Sequence, residues 1–331
     1  MTFPRFCFFA LAAATSFTVL AADPKLAIVY GAGGKFDKSF NQAAGQGADR
    51  FKKETNIGFL EVSVASDTQT EQILRTLARK NLDLIAAIGF AQAQAVQTVA
   101  KEFPKVKFVI IDGVAQGDNV SSILFKEQEG SYLVGVAAAT VSKSKKIGFV
   151  GGMDIPLIRA FSCGYAQGAK SVDSKIELTQ NMVGSTPMAW QDPAKGAELA
   201  RAQFEKGVDV VFAAAGGSGM GALKAASEKG KLAIGVDSNQ NYLYPGTMLT
   251  SMLKRGDNAI YNSFMAVKNG NWKSGVANQG VKEGGVDWAL DADNRKLISP
   301  ELEKKLNQVR QEIISGKIRV VDYRETNSCP L

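Results

Sequence analysis

Short β-rich runs alternate with amphipathic helical stretches along this chain, and the alternation runs through twice. The periodicity predicts strands at Lys25–Gly31, Phe59–Ala65, Leu82–Gly89 and Lys107–Asp112, separated by helices at Phe40–Thr55, Thr68–Asn81 and Ala91–Phe103. A second set follows. Its strands are Lys146–Gly152, Lys175–Val183, Asp209–Ala215 and Leu232–Asp237, with helices at Leu157–Val172, Ala194–Lys206 and Gly221–Lys229 between them. Strands that alternate with helices pair in parallel, and a parallel sheet has both faces covered. The chain therefore reads as α/β, with two successive units of similar length, and 331 residues suffice for two cores. The remainder supplies a strand at Met248–Leu253, helices at Asp257–Asn269 and Pro300–Ser315, an irregular stretch between them, and a final strand at Ile318–Tyr323. Such late segments are expected to belong to both units, so the chain should cross between lobes near Phe125, near Ser251 and near residue 280.

Residues 1–22 read as a secretory signal. Arg5 is their only charged residue, Phe6–Leu20 is apolar but too short to span a bilayer, and Ala21-Ala22 offers a small-residue cleavage point before Asp23. No later run is long and apolar enough for a membrane span, so a soluble secreted protein is expected. Cys7 lies early in that apolar run and does not follow a small-residue box placed after it, so lipid anchoring is not expected. Cys163 and Cys329 remain; in an oxidising compartment they are expected to pair, the other reading being two free thiols. The chain has no histidine, which removes Ser–His and Cys–His nucleophiles, His-ligated zinc and the commonest general base. The formal net charge of +7 comes from lysines scattered over many helices, a solvated basic surface rather than a nucleic-acid stripe.

Ligands in open parallel sheets sit beyond the carboxyl ends of the strands. Behind the first strand lies Gly31-Ala32-Gly33-Gly34-Lys35, which is not a phosphate loop: Phe36 stands where Ser or Thr is needed and Val29 where the leading Gly is needed. Phe36, Asp37 and Asn41 then flank the start of a helix, where Asp37 or Ser39 could equally serve as a cap. Phe90, Asp112, Arg159, Phe161, Gly216, Gly217, Asp237 and Lys254 follow later strands. Each alone has an ordinary structural reading. Together they place aromatics and carboxylates from both units on one edge, a cleft suited to a flat ring carrying hydroxyls. A rival reading comes from Gly217-Ser218-Gly219-Met220-Gly221-Ala222, which fits a dinucleotide fingerprint with Asp237 ending the next strand and would make the chain a secreted dinucleotide-dependent or nucleoside-processing enzyme.

The ordered set FDKSFN (36–41), IGF (88–90), VIID (109–112), KEQEGSYLVG (126–135), IGFVGG (147–152), IRAFSCGYAQGAK (158–170), AAGGSG (214–219), GVDSNQ (235–240) and TSMLKR (250–255) resembles the basic membrane protein family. The resemblance implies a two-lobed type I periplasmic binding protein fold, each lobe a parallel sheet flanked by helices. It implies a solute receptor of an ABC importer, not an enzyme, without cofactor or metal. Its partners would be a nucleoside-like small molecule and the importer's membrane subunits, with no nucleic acid. The lobes are expected at 23–124 plus about 253–280, and 125–251 plus about 281–331. Carried over residue by residue, Phe36 and Phe161 would stack on a base and Asn41 would bind its edge. Asp112, Asp237 and Lys254 would hold ribose hydroxyls beside Gly216 and Gly217, with Asp37 and Phe90 completing the site. The family commonly carries an Asp after the first strand; Gly31 stands there.

Overall fold

The computed structural model describes residues 22–331. The signal segment thus lies outside the described residues, apart from Ala22. The first lobe is built from β1 (Leu26–Tyr30), α1 (Phe40–Thr55), β2 (Phe59–Ser63), α2 (Thr70–Ala78), β3 (Leu84–Ile88), α3 (Ala93–Glu102), β4 (Lys107–Ile111) and β5 (Val120–Phe125). The chain then enters α4 (Glu127–Val141) and the second lobe, with β6 (Lys146–Met153), α5 (Pro156–Val172), β7 (Glu177–Gly184), α6 (Pro193–Glu205), β8 (Val210–Ala214), α7 (Gly219–Glu228), β9 (Leu232–Asp237) and β10 (Met248–Lys254). It crosses back for α8 (Gly256–Lys268) and β11 (Gly275–Gln279), and returns for β12 (Val286–Trp288), α9 (Pro300–Ile314) and α10 (Tyr323–Thr326).

The two sheets repeat one plan. Their strand orders are β11-β5-β4-β3-β1-β2 and β12-β10-β9-β8-β6-β7. All pairings are parallel except that of β12 with β10. The central strands LAIVY and LIAAI are buried along their whole length, as a sheet covered on both faces requires. Edge strands β2 and β7 mix partly buried with exposed positions and have no fully buried one. One apolar core runs through both lobes, from Phe51 and Phe264 on the first to Phe149 and Phe212 on the second. The outer faces of the sheets carry separate clusters around Leu74 and Leu223.

The KEQEGSYLVG segment is mostly α4, a helix buried on nearly every side. It presses backbone to backbone on α5: a Cβ added at Gly168 would stand 2.0 Å from the carbonyl oxygen of Tyr132, and one at Gly135 2.2 Å from that of Tyr165. Part of the segment's resemblance is therefore helix packing and not ligand contact.

The strand expected at Ile318–Tyr323 does not form. Residues 318–322 form no strand, and α10 follows. β12 already occupies the sheet edge beyond β10, and the tail's backbone is satisfied elsewhere. Gln167 of α5 donates to the Val321 carbonyl at 2.9 Å and accepts from its N–H at 3.0 Å. Cys163, one turn before Gln167, is joined to Cys329 by a disulfide. The stretch expected to be irregular after α8 contains β11 and β12.

Candidate ligand-binding site

The carboxyl ends of both sheets face each other across one cavity, walled by residues of each lobe. From the first lobe come Gly31, Asp37, Phe40, Asn41, Phe90, Gln92 and Asp112. From the second come Phe161, Trp190, Gly216, Gly217, Asp237 and Lys254. The lobes touch directly beside it. Ser39 donates its hydroxyl to the Asp237 carboxylate, Ser238 donates to the Ser39 carbonyl at 2.8 Å, and Gln240 donates to the Lys38 carbonyl at 2.7 Å.

Asp37 is anchored as a cap. Its carboxylate accepts from the backbone N–H groups of Ser39, Asn41 and Gln42 at 2.8–3.1 Å, which satisfies the free donors at the start of α1. Burial still leaves its pKa above the ordinary value, against those hydrogen bonds. Asn41 is locked at both ends, donating to Asp37 at 2.9 Å and accepting from the Gly31 N–H at 2.9 Å. Its amide oxygen is occupied, so toward the cavity it is a donor.

Asp112 and Asp237 sit at strand ends in left-handed backbone. Lys254 closes β10, is 2% exposed, and forms an ion pair with Asp112 and a second with Glu127 at 2.9 Å. Its ammonium also stands over the rings of Phe40, Phe125 and Phe161 at 5.1, 5.3 and 5.5 Å from their centroids. Burial alone would lower the lysine pKa, but Asp112, Glu127 and Asp237 outweigh it and the ammonium is held charged. Burial raises the Asp112 pKa against the pull of Lys254, and Glu127, sharing the same lysine, adds to the rise. Burial pushes Asp237 up to about 7, with Lys254 and Ser39 opposing and Asp37 and Asp112 adding. One Asp112 oxygen is buried without a hydrogen-bond partner. A carboxylate held this way beside a fixed cation can accept from vicinal hydroxyls.

The structure brings together most of the expected positions and leaves two out, Phe36 and Arg159. Phe36 is 78% exposed and outside the cavity wall: Asp37 caps the helix that starts at Phe40, so the chain turns Phe36 outward and carries Phe40 inward. Phe161 lies in the wall but is only 3% exposed and packs on Phe212, so it is also core. Arg159 points to Asp154, with paired hydrogen bonds of 2.7 and 2.8 Å, and takes no part. Phe40, Trp190 and Gln92 are additions. Phe40 stands within the FDKSFN segment, and Gln92 two residues past Phe90; nothing in its surroundings marks Trp190. Gly221, which is not one of the fixed positions of the dinucleotide fingerprint, serves packing: a Cβ there would sit 1.7 Å from the Pro193 carbonyl oxygen, at the contact of α7 with α6.

Comparison with known proteins agrees with this architecture. Residues 25–324 match the model of a family described as ABC transporter substrate-binding protein PnrA-like. The ABC transporter nucleoside-binding protein BmpA of Lactococcus lactis is 35% identical, with 90% of this chain and 89% of that protein covered. Basic membrane protein A of Borreliella burgdorferi is 33% identical, covering 92% and 89%. A solute-binding protein of an ABC transporter system from Aeropyrum pernix superposes with a TM-score of 0.83 at 28% identity, covering 92% and 95% of the two chains. These matches leave the secreted-enzyme reading without support, and no helix among the described residues is long and apolar enough to cross a membrane. The chain belongs to the basic membrane protein family of ABC transporter substrate-binding proteins.

Proposed function

We propose that this protein is the nucleoside receptor of an ABC importer, binding a ribonucleoside in the interlobe cavity. The observation that carries the reading is the buried Asp112–Lys254 pair, with an unpartnered Asp112 oxygen and Asp237 nearby. Asp112, Asp237 and Lys254 take the ribose hydroxyls, with Gly216 and Gly217 beside them. The base lies between aromatic walls, Phe40 from the first lobe and Phe161 from the second, with Trp190 and Phe90 around it. The nucleoside-binding relative from Lactococcus lactis supports the ligand class. Residues 23–125 with about 255–280 close as one lobe against 126–254 with about 281–331, because the ligand contacts both.

The receptor is delivered to the periplasm by cleavage near Ala22 or Asp23. A relative from Pyrococcus abyssi is described as a lipoprotein, which runs against the expectation that this chain carries no lipid anchor. The membrane subunits of the importer are its partners.

Mass spectrometry of the small molecule released on denaturing the purified native protein tests the ligand class. An unchanged ribonucleoside in stoichiometric amount is expected. A different solute would remove the nucleoside reading, and base plus free sugar would point to turnover. An intact Met1, or a diacylglyceryl group, on the same native protein would remove the proposed processing.

A further inference from the structure

We propose that Arg324, in the C-terminal tail, is a positioning residue of the ligand site: it neutralises Glu127 and thereby keeps Lys254 turned to Asp112. The proposal rests on the reading that Asp112 and Lys254 hold the ligand.

The geometry is a row of alternating charges, buried at Asp112, Lys254 and Glu127 and partly exposed at Arg324. Asp112 pairs with Lys254; Lys254 pairs with Glu127 at 2.9 Å; Glu127 pairs with Arg324 at 3.0 Å; Arg324 pairs with Asp322 at 2.7 Å. Glu127 is fully buried, and the two cations are its only charged partners in the row. It stands at the first turn of α4, where the chain enters the second lobe, and Arg324 also donates to the Phe125 carbonyl just before that point at 3.0 Å. The row therefore passes from the cavity through a crossing between lobes to the tail.

The tail is fastened. Gln167 of α5 binds the Val321 backbone in both directions, and Cys163 of the same helix holds Cys329. Asp322 accepts three hydrogen bonds from the Arg324 side chain at 2.7–3.0 Å, which fixes the guanidinium. Neither Arg324 nor Glu127 is in the cavity wall.

Without the guanidinium, a buried carboxylate loses one of its two cations, and such a group is costly unless it is paired or neutralised. Around Asp112 stand Lys254 from β10, Glu127 from α4, Arg324 from α10 and Asp237 at the end of β9. Removing Arg324 leaves three carboxylates facing one ammonium. Glu127 then draws on Lys254, Asp112 holds its proton to higher pH, and the ligand loses an acceptor.

The test is the pH profile of adenosine and uridine affinity, by calorimetry from about pH 5.5 to about pH 8.5, for wild type, Arg324→Gln and Arg324→Lys. In Arg324→Gln the acid loss of affinity should move up by about one pH unit, so the defect approaches about tenfold at the acid end and shrinks toward the alkaline end. Arg324→Lys should restore most of the profile. A Gln profile that coincides with wild type, or lies parallel to it at every pH, overturns the proposal, because a tail with a merely structural role would shift affinity evenly. If Arg324→Gln does not fold, Gln167→Ala combined with Cys329→Ser releases both fastenings of the tail with Arg324 intact and should move the profile the same way; an unmoved profile there counts against it. If wild type binds neither nucleoside, the ligand assignment fails on its own. The Asp112 carboxyl is then titrated by carbon-13 NMR, and a midpoint unchanged in Arg324→Gln overturns the proposal independently.

Discussion

Asp112 and Asp237 occupy matching positions in the two lobes, each at the carboxyl end of the fourth strand of its unit, with φ of 65° and 64°. Left-handed backbone is costly for most residues and comparatively tolerable for Asp, whose short side chain bonds locally. Each aspartate is turned into the cavity from its own sheet, and Lys254 stands near both. The site is built from one device used twice, with a single cation between the copies.

Ligand affinity and the stability of the unliganded closed protein should respond to pH in opposite directions. Both carboxyls have folded-state pKa values above the ordinary aspartate value, Asp237 at about 7. A raised carboxyl pKa contributes stability that is complete below the unfolded pKa and is lost as pH rises through the folded one. These two groups therefore favour the unliganded fold more at about pH 5 than at about pH 8. Hydroxyl recognition needs the ionised forms, so nucleoside affinity should rise over the same window. Chemical denaturation and calorimetry at matched pH check the pair; affinity flat across the window would mean that neither aspartate accepts from the ligand.

Phe40, and not Phe36, should carry the base from the first lobe. Base–aromatic stacking contributes roughly 1–3 kcal/mol per face. Phe40→Ala is expected to weaken nucleoside binding by about tenfold or more, whereas Phe36→Ala should leave it unchanged. Phe161 is better tested as Leu, because truncation to Ala would also open a cavity against Phe212 at a cost of about 3–5 kcal/mol. Equal affinities for Phe40→Ala and wild type would remove Phe40 from the site.

Loss of the Cys163–Cys329 disulfide should destabilise the protein and leave it folded. The bond closes a span of 166 residues. The chain-entropy model puts an upper figure on the order of 5 kcal/mol on such a loop, and measured effects are commonly about 2–4 kcal/mol. The clasp between Gln167 and Val321 keeps part of the tail in place without the bond. Cys329→Ser should therefore melt several degrees below wild type in a single transition. Coincident melting curves, or two free thiols in denatured unreduced wild type, would contradict this.

How much was legible followed from how each element is buried. The strands and most helices of both units were readable, because a two-sided parallel sheet needs short apolar runs and one-sided helices show a 3.6-residue rhythm. α4 has no such rhythm: it is buried on nearly every side, and the segment was read only as a resemblance. β11 is exposed along most of its length and β12 is three residues long, so neither left a pattern. The tail's expected strand finds no sheet partner; its backbone partner is a glutamine side chain 154 positions away. Residues at strand ends line the cavity because topology places them there. The choice of Phe40 over Phe36 is not legible in sequence, because the cap that decides which ring turns inward is a matter of hydrogen bonds. Trp190 comes from the short loop after edge strand β7, where sequence order says nothing of which way the ring faces.

Base choice should be loose while the ribose requirement is strict. At the base end Gly31 has no side chain, and none is easily added: a Cβ there would lie 2.8 Å from the Ile88 carbonyl oxygen. Gly31→Asp should therefore destabilise the protein rather than install a selective carboxylate. Asp37 is occupied by the backbone of α1, and the amide oxygen of Asn41 by the Gly31 N–H. Among these side chains the base can meet the remaining N–H of Asn41 and the side-chain oxygen of Gln92, which is buried without a partner while its nitrogen donates to Val29 and Ile88. One donor and one acceptor, with water in the remaining space, suit several bases about equally. The ribose end offers two aspartates and a lysine, and leaving them unpaired is far more costly. Calorimetry across adenosine, guanosine, inosine, uridine and cytidine should find affinities within about a hundredfold, or roughly 2.7 kcal/mol. Deoxyribonucleosides and free bases should bind much more weakly. One purine preferred beyond that margin would show that the Asn41–Gln92 edge discriminates more sharply than its two hydrogen-bonding groups suggest, and full affinity for the deoxyribonucleosides would remove Asp112 and Asp237 from ribose recognition.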